Sequence, residues 1–141
     1  MTASKLGRKK EHRERTLRNL ATSLVLYERI QTTEAKAKTL APIVERLISR
    51  ATDGTLSSRR AAAAVLFDKN AVAKLFEDVG SRQGERESGF VRITKLPMRH
   101  GDGAPMAQLE LLLTPLEDVL QRESNTRIRV RKNAPAVAET T

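Results

Sequence analysis

The sequence predicts an α+β fold, and three observations carry that expectation. Between residues 10 and 79, four stretches repeat apolar side chains at the three- and four-residue spacing of helices. A run with β-branched residues, 28–33, interrupts them after the first stretch. Beyond residue 90 the apolar period falls to two over two further segments. The expected architecture is about four helices packed with a small mixed sheet of about three strands. These are a short strand after helix 1 and a C-terminal hairpin, with a basic N-terminal extension at 1–10 and a disordered C-terminal tail. A chain of 141 residues has the length of one ordinary domain. It divides into a single α+β domain over 1–114, extension included, and a partly disordered C-terminal extension over 115–141.

Each element has its own signal. Residues 10–26 place Leu17, Leu20, Ala21, Leu24 and Val25 on one helical face, while Arg8, Arg15, Arg18 and Thr22 fall on another line that points cations away from the core. Thr33 then stands as an N-cap. Residues 34–51 keep Ala37, Leu40, Ala41, Val44, Leu47, Ile48 and Ala51 in phase across Pro42, which favours a kinked helix over two abutting ones. Asp53-Gly54 ends it. Ser57 or Ser58 begins a third helix through the four alanines at 61–64 to about Phe67. Asp68 caps a fourth, with Val72, Leu75, Phe76 and Val79 on one face and Gly80 at its end. Residues 81–89 are polar and read as an exposed loop. In 90–96, Val91 and Ile93 oppose Arg92 and Thr94; in 106–113, Ala107, Leu109, Leu111 and Leu113 oppose Gln108 and Glu110. Pro97, Gly101, Asp102, Gly103 and Pro105 between them suit a long, shaped hairpin loop. Residues 116–121 suggest a helical turn, 127–131 an edge strand or extended arm, and 133–141 a disordered tail. No internal repeat is present.

Composition removes several classes of function. Without cysteine there is no disulfide scaffold, thiolate zinc site or thiol chemistry. The two histidines, His12 and His100, have no second His or Cys at ligand spacing, so no metal site is expected. Gly101-Asp102-Gly103 lacks the lysine of a phosphate loop and reads as a turn. Nothing makes Glu110 or Asp102 a general acid or base, and no enzyme activity, catalytic residue, cofactor or small-molecule substrate is expected. No apolar run is long enough to span a bilayer, and the basic start has no apolar stretch behind it of the secretory kind, so the expected location is the cytoplasm.

Charge points to a partner. Lys and Arg number 26 against 17 Asp and Glu, a net +9, and the excess is concentrated: residues 1–20 hold Lys5, Arg8, Lys9, Lys10, Arg13, Arg15 and Arg18 against Glu11 and Glu14. A second cluster is Arg127, Arg129, Arg131 and Lys132. Seven cations so close repel one another unless an anion neutralises them, which favours a nucleic acid over a merely solvated basic face. With 3 Phe, 1 Tyr and no Trp, the chain lacks the aromatics of a stacking sheet for single strands. Recognition of a folded RNA by backbone and shape fits better, and a helix-turn-helix contact to DNA stays open.

Specific strings then carry a resemblance. Lys5-Leu6-Gly7-Arg8, His12-Arg13, Leu17-Arg18-Asn19-Leu20-Ala21-Thr22-Ser23-Leu24, Glu28-Arg29-Ile30 and Thr32-Thr33-Glu34-Ala35-Lys36-Ala37-Lys38 occur in order. Some sixty residues later come Arg99, Gly101-Asp102 and Ala104-Pro105-Met106. The pattern, from about Lys5 to Leu113, resembles the bacterial large-subunit ribosomal protein of the L-seventeen family. The resemblance implies an architectural, non-enzymatic protein bound to large-subunit ribosomal RNA on the solvent side near the peptide tunnel exit. One copy per subunit would sit beside neighbouring large-subunit ribosomal proteins, with no homo-oligomer and no membrane, in a bacterial cytoplasmic or an organellar ribosome. Carried over, Lys5, Arg8, His12, Arg13, Arg18 and Asn19 are the main RNA contact, with Thr32, Thr33, Lys36, Lys38 and Arg99 further candidates, and the basic cluster adds Lys9, Lys10 and Arg15 to the expected RNA-binding set. Against these stand plainer roles: Asn19 packing, Thr33 capping a helix, Arg99 pairing with Asp102. The chain departs from the family in its lead, Met1-Thr2-Ala3-Ser4, which lacks the usual His/Arg-rich start, and in Glu11 and Glu14, acids where Ser and Lys are common. The basic extension is expected to be disordered in the free protein and to order on assembly. The alternative is a free DNA-binding protein or RNA chaperone acting off the ribosome.

Overall fold

The computed structural model describes residues 4–83, 86 and 88–114. The turn expected at 116–121, the cluster at 127–132 and the tail at 133–141 lie outside the described residues. Helix α1 (Lys10–Tyr27) buries Leu17, Ala21, Leu24 and Val25, the face its periodicity marked. It ends at Glu28, whose φ of 61° turns the chain left-handed, and whose N–H donates to the Leu24 carbonyl at 2.8 Å. That conformation costs a side-chain-bearing residue about 1–2 kcal/mol. Three ties hold it: the Glu28 carboxylate meets Lys74 at 2.8 Å and Arg82 at 2.9 Å, and its carbonyl accepts from Leu111 N–H at 2.9 Å. Burial raises the Glu28 pKa, but the two cations outweigh it and hold the carboxyl below its ordinary value.

Strand β1 (Arg29–Thr33) leads directly into α2 (Glu34–Asp53). Thr33 occupies the N-cap position without a side-chain capping bond. Helix α2 continues without a break through exposed Pro42 and stops at Gly54, where a φ of 62° is cheap for glycine. Helix α3 (Leu56–Ala63) is capped by Thr55, whose Oγ1 accepts from Ser58 N–H at 3.2 Å, so the start lies before Ser57 and Ser58. Its end at Ala63 leaves residues 64–67 to turn toward α4 (Lys69–Lys74), which Asp68 caps through Asn70 N–H at 2.8 Å. A π-helical turn, Leu75–Val79, and a last short turn, α5 (Gly80–Arg82), continue it.

Two sequence expectations fail here. Gly80 does not terminate a helix: its φ is −61°, and the lack of a Cβ matters because one would stand 3.3 Å from the Leu75 carbonyl and 3.4 Å from that of Ala51. The glycine lets α2 approach closely. Nor is 81–89 wholly an exposed loop, since Gln83 is 3% exposed and Arg82 is largely covered. The Arg82 guanidinium bridges Glu28 and Asp78, its Nε donates to the Thr114 carbonyl at 3.1 Å, and Thr114 N–H returns to the Arg82 carbonyl at 2.7 Å. A polar knot thus joins the ends of α1, α5 and the last strand.

Strands β2 (Val91–Leu96) and β3 (Met106–Leu111) form the hairpin, and β1 pairs on the other side of β3, giving the order β1-β3-β2. The sheet is antiparallel throughout, not mixed: β1 and β2 run the same way, but β3 separates them. Register aligns Ile30, Leu109 and Ile93 across the inner face, and Arg29, Glu110 and Arg92 across the outer one. Ala107, Leu109 and Leu111 are buried against the helices, chiefly α2, as the alternation predicts. The core joins them to Leu24, Leu40, Val44, Leu47, Ile48, Leu75 and Phe90.

Candidate nucleic-acid interface

The basic segment begins with a turn. Arg8 N–H donates to the Lys5 carbonyl at 3.1 Å, and Leu6 and Gly7 both adopt positive φ, 52° and 61°. Leu6 packs against the core and Arg8 Nη1 donates to its carbonyl at 3.1 Å. Residues 5–8 are therefore shaped into a turn in this structure. One apolar side chain, Leu6, supplies the anchor.

Helix α1 then runs for two turns before it buries a residue. Its first buried residue is Leu17, so its first seven residues form about two turns, roughly 10 Å at 1.5 Å per residue, that contribute nothing to the core. The end is poorly capped: Lys9 holds the N-cap position in extended conformation with no side-chain bond, and Glu11 is the single acid of the first turn. Unpaired backbone N–H groups and the positive end of the helix dipole add to Lys9 and Lys10, a place where an anion lowers the energy.

The rotation of 100° per residue distributes the other cations around this shaft. His12 and Asn19, both exposed, lie opposite the buried face. Arg13 lies on the flank toward α2, where with Ser4, Lys38 and Arg46 it borders an open groove of about 760 Å³ floored by Leu17, Pro42, Ile43 and Pro105. Arg15 and Arg18 lie on the opposite flank, toward α3 and α4, with the Arg18 guanidinium 5.7 Å from the Phe67 ring centroid. Arg46 was not among the residues expected from sequence. Its spacing from Lys38, two steps of four along α2, was the available signal.

The remaining candidates divide. Thr32 is 7% exposed on the inner face of β1 opposite Ala107, which removes it as a surface contact. Thr33 lies on the outer face opposite Met106. Lys36 is half-buried on α2, and Lys38 is exposed but pairs with Glu34 at 2.7 Å. That bond, with a weaker pull from Lys95, holds the Glu34 carboxyl below its ordinary value.

Arg99 pairs with Asp102 through two bonds, one of 3.0 Å from Nε, across a loop that left-handed Gly101 and Gly103 allow to close. Arg99 first, and Ala104 N–H second, lower the Asp102 pKa from 3.8 to about 2. A depressed carboxylate contributes fully above its unfolded value and loses its contribution as pH falls toward about 2. In Arg99→Ala the Asp102 side chain should therefore titrate back toward 3.8 in a carboxyl-resolved NMR titration. Unchanged titration would mean the pair does not form in solution.

No helix among the described residues is long and apolar enough to cross a membrane. The sequence pattern described as ribosomal protein L17 matches residues 16–112, from the second turn of α1 through β3. The large ribosomal subunit protein bL17 of Chloroherpeton thalassium is 44% identical over 134 residues, covering 92% of this chain and 79% of that protein. That of Carboxydothermus hydrogenoformans is 48% identical over 108 residues, covering 77% of this chain and 96% of its own. That of Caldanaerobacter subterraneus is 47% identical over 112 residues, covering 79% of this chain and its own entire length. A match across both the helical layer and the sheet, at such identity, settles the family: this chain belongs to the ribosomal protein L17 family.

Proposed function

We propose that this protein is a structural constituent of the bacterial large ribosomal subunit that grips ribosomal RNA with the turn at Lys5–Arg8 and the start of α1, beside neighbouring ribosomal proteins near the peptide tunnel exit. The observation that carries this reading is the start of α1: two helical turns that bury no residue, that lack a side-chain cap, and that bear Lys10, Arg13 and Arg15 next to Lys9. A soluble domain gains nothing from such an end on its own; phosphates supply the missing anions and release counter-ions. Family membership supports the ribosomal role and a part without catalysis. The sheet and α2–α5 act as the rigid base of the shaft.

The test is sucrose-gradient sedimentation of a bacterial lysate at low and high salt, with this protein quantified against large-subunit RNA. Near one copy per subunit, retained at high salt, is the expected outcome. Loss from the subunit, or far less than one copy, would make it an accessory nucleic-acid binder off the ribosome.

A further inference from the structure

The flank of α1 opposite the groove carries a feature that phosphate binding alone does not explain. Phe67 is 55% exposed, in the connection just before Asp68 caps α4. A single exposed ring is ordinary; its surroundings are not. Phe67 N–H donates to Thr22 Oγ1 at 3.3 Å, and that hydroxyl donates to the Arg18 carbonyl at 2.9 Å. One threonine therefore fixes the ring and the α1 turn bearing Arg18 relative to each other, and the guanidinium lies 5.7 Å from the ring centroid. Arg15 is one turn earlier on the same flank, and neither arginine takes part in an ion pair among the described residues. An aromatic face and two cations are held together, and among the described residues no carboxylate lies within ion-pair distance of either arginine.

We propose that Phe67, with Arg18 against it and Arg15 beside it, is a stacking site for one unpaired nucleotide of the bound RNA: the base lies on the exposed part of the ring and the arginines take its flanking phosphates. This rests on the RNA-binding reading above and adds a ligand class to it. The geometry suits a base because every base offers a π-face to a ring already fixed, with two torsions to lose and no folding on binding. It suits a nucleotide over an apolar partner side chain because the rim is cationic on the α1 side. The general shortage of aromatics still argues against a continuous single-strand platform; this is one ring serving one looped-out base.

The test uses the full-length protein, a short oligoadenylate and an RNA duplex with the same number of phosphates. Phe67→Leu keeps the apolar volume of an exposed position and removes the π-face. It should weaken oligoadenylate binding roughly 5- to 100-fold, leave duplex binding within about twofold and leave the salt slope unchanged. Phe67→Trp places the single tryptophan of the chain at the site, and its fluorescence should be quenched by oligoadenylate and not by duplex. Arg18→Ala should weaken both probes and lower the salt slope by about one phosphate. Wild type that binds both probes with Phe67→Leu indistinguishable from it, or the tryptophan signal indifferent to oligoadenylate, overturns the stacking site and leaves the phosphate grip standing. Wild type with no affinity for either RNA overturns both.

Discussion

Replacing Arg8, Arg13 and Arg18 together by alanine should cut affinity for deproteinised large-subunit RNA by on the order of 10²- to 10³-fold at about 0.1 M salt, with the slope of log affinity against log salt falling by roughly three phosphates' worth. The magnitude follows from counter-ion release, which makes each phosphate contact worth nearly one log unit at that salt. Its distribution follows from the structure. Arg8 sits in the N-terminal turn, Arg13 on the flank toward α2 and Arg18 on the flank toward α4. A loss of three phosphates therefore requires RNA on all sides of the shaft, whereas RNA touching one flank would cost about one. None of the three lies in the buried core, so the helical circular-dichroism signal should remain. Unchanged affinity with intact helicity would remove the shaft as the binding element, whatever the family membership.

The two long helices, α1 and α2, were legible because each buries a continuous apolar face, and a face of Leu17, Ala21, Leu24 and Val25 is written in sequence as spacing alone. Strand β3 was legible for the same reason, with every second residue buried from Ala107 to Leu111. What spacing could not convey was anything set by a distant segment. Gly80 looked like a helix terminator because glycine's commonest local meaning is conformational; its role here is steric and depends on Ala51, nearly thirty residues away. Thr32 looked available because β1 has five residues and no strong alternation, and only its pairing with Ala107 assigns it to the inner face. Arg82 looked solvated until Glu28, Asp78 and Thr114 converged on it. The cationic shaft was legible as charge, yet its division into two flanks, one facing the Arg46 groove and the other facing Phe67, required the helices to be packed.

Leu109→Ala should be among the most destabilising single changes in the molecule, lowering the unfolding free energy by about 3 kcal/mol within the 2–5 kcal/mol typical of buried leucines. Leu109 is fully buried in the central strand, aligned with Ile30 on one side and Ile93 on the other, beneath the helical layer. Both neighbours are fixed by ladder hydrogen bonds, so the sheet cannot collapse into the space and the cavity persists. A loss of that size is a large part of the roughly 5–15 kcal/mol that holds a small domain together. In urea the midpoint should fall with the slope unchanged. Ile93→Ala is the comparison: the same face and an adjacent strand, but 37% exposed at the sheet edge, it should cost well under half as much. Equal costs would mean that the hairpin is not seated on the helices as the register describes. Neither residue adjoins the cations of α1, so the folded fraction of both variants should keep the wild-type salt slope for RNA. A slope that fell with Leu109→Ala would show that the sheet does more than support the shaft and itself presents charge to the RNA, through Arg29, Arg92 and Lys95 along its strands.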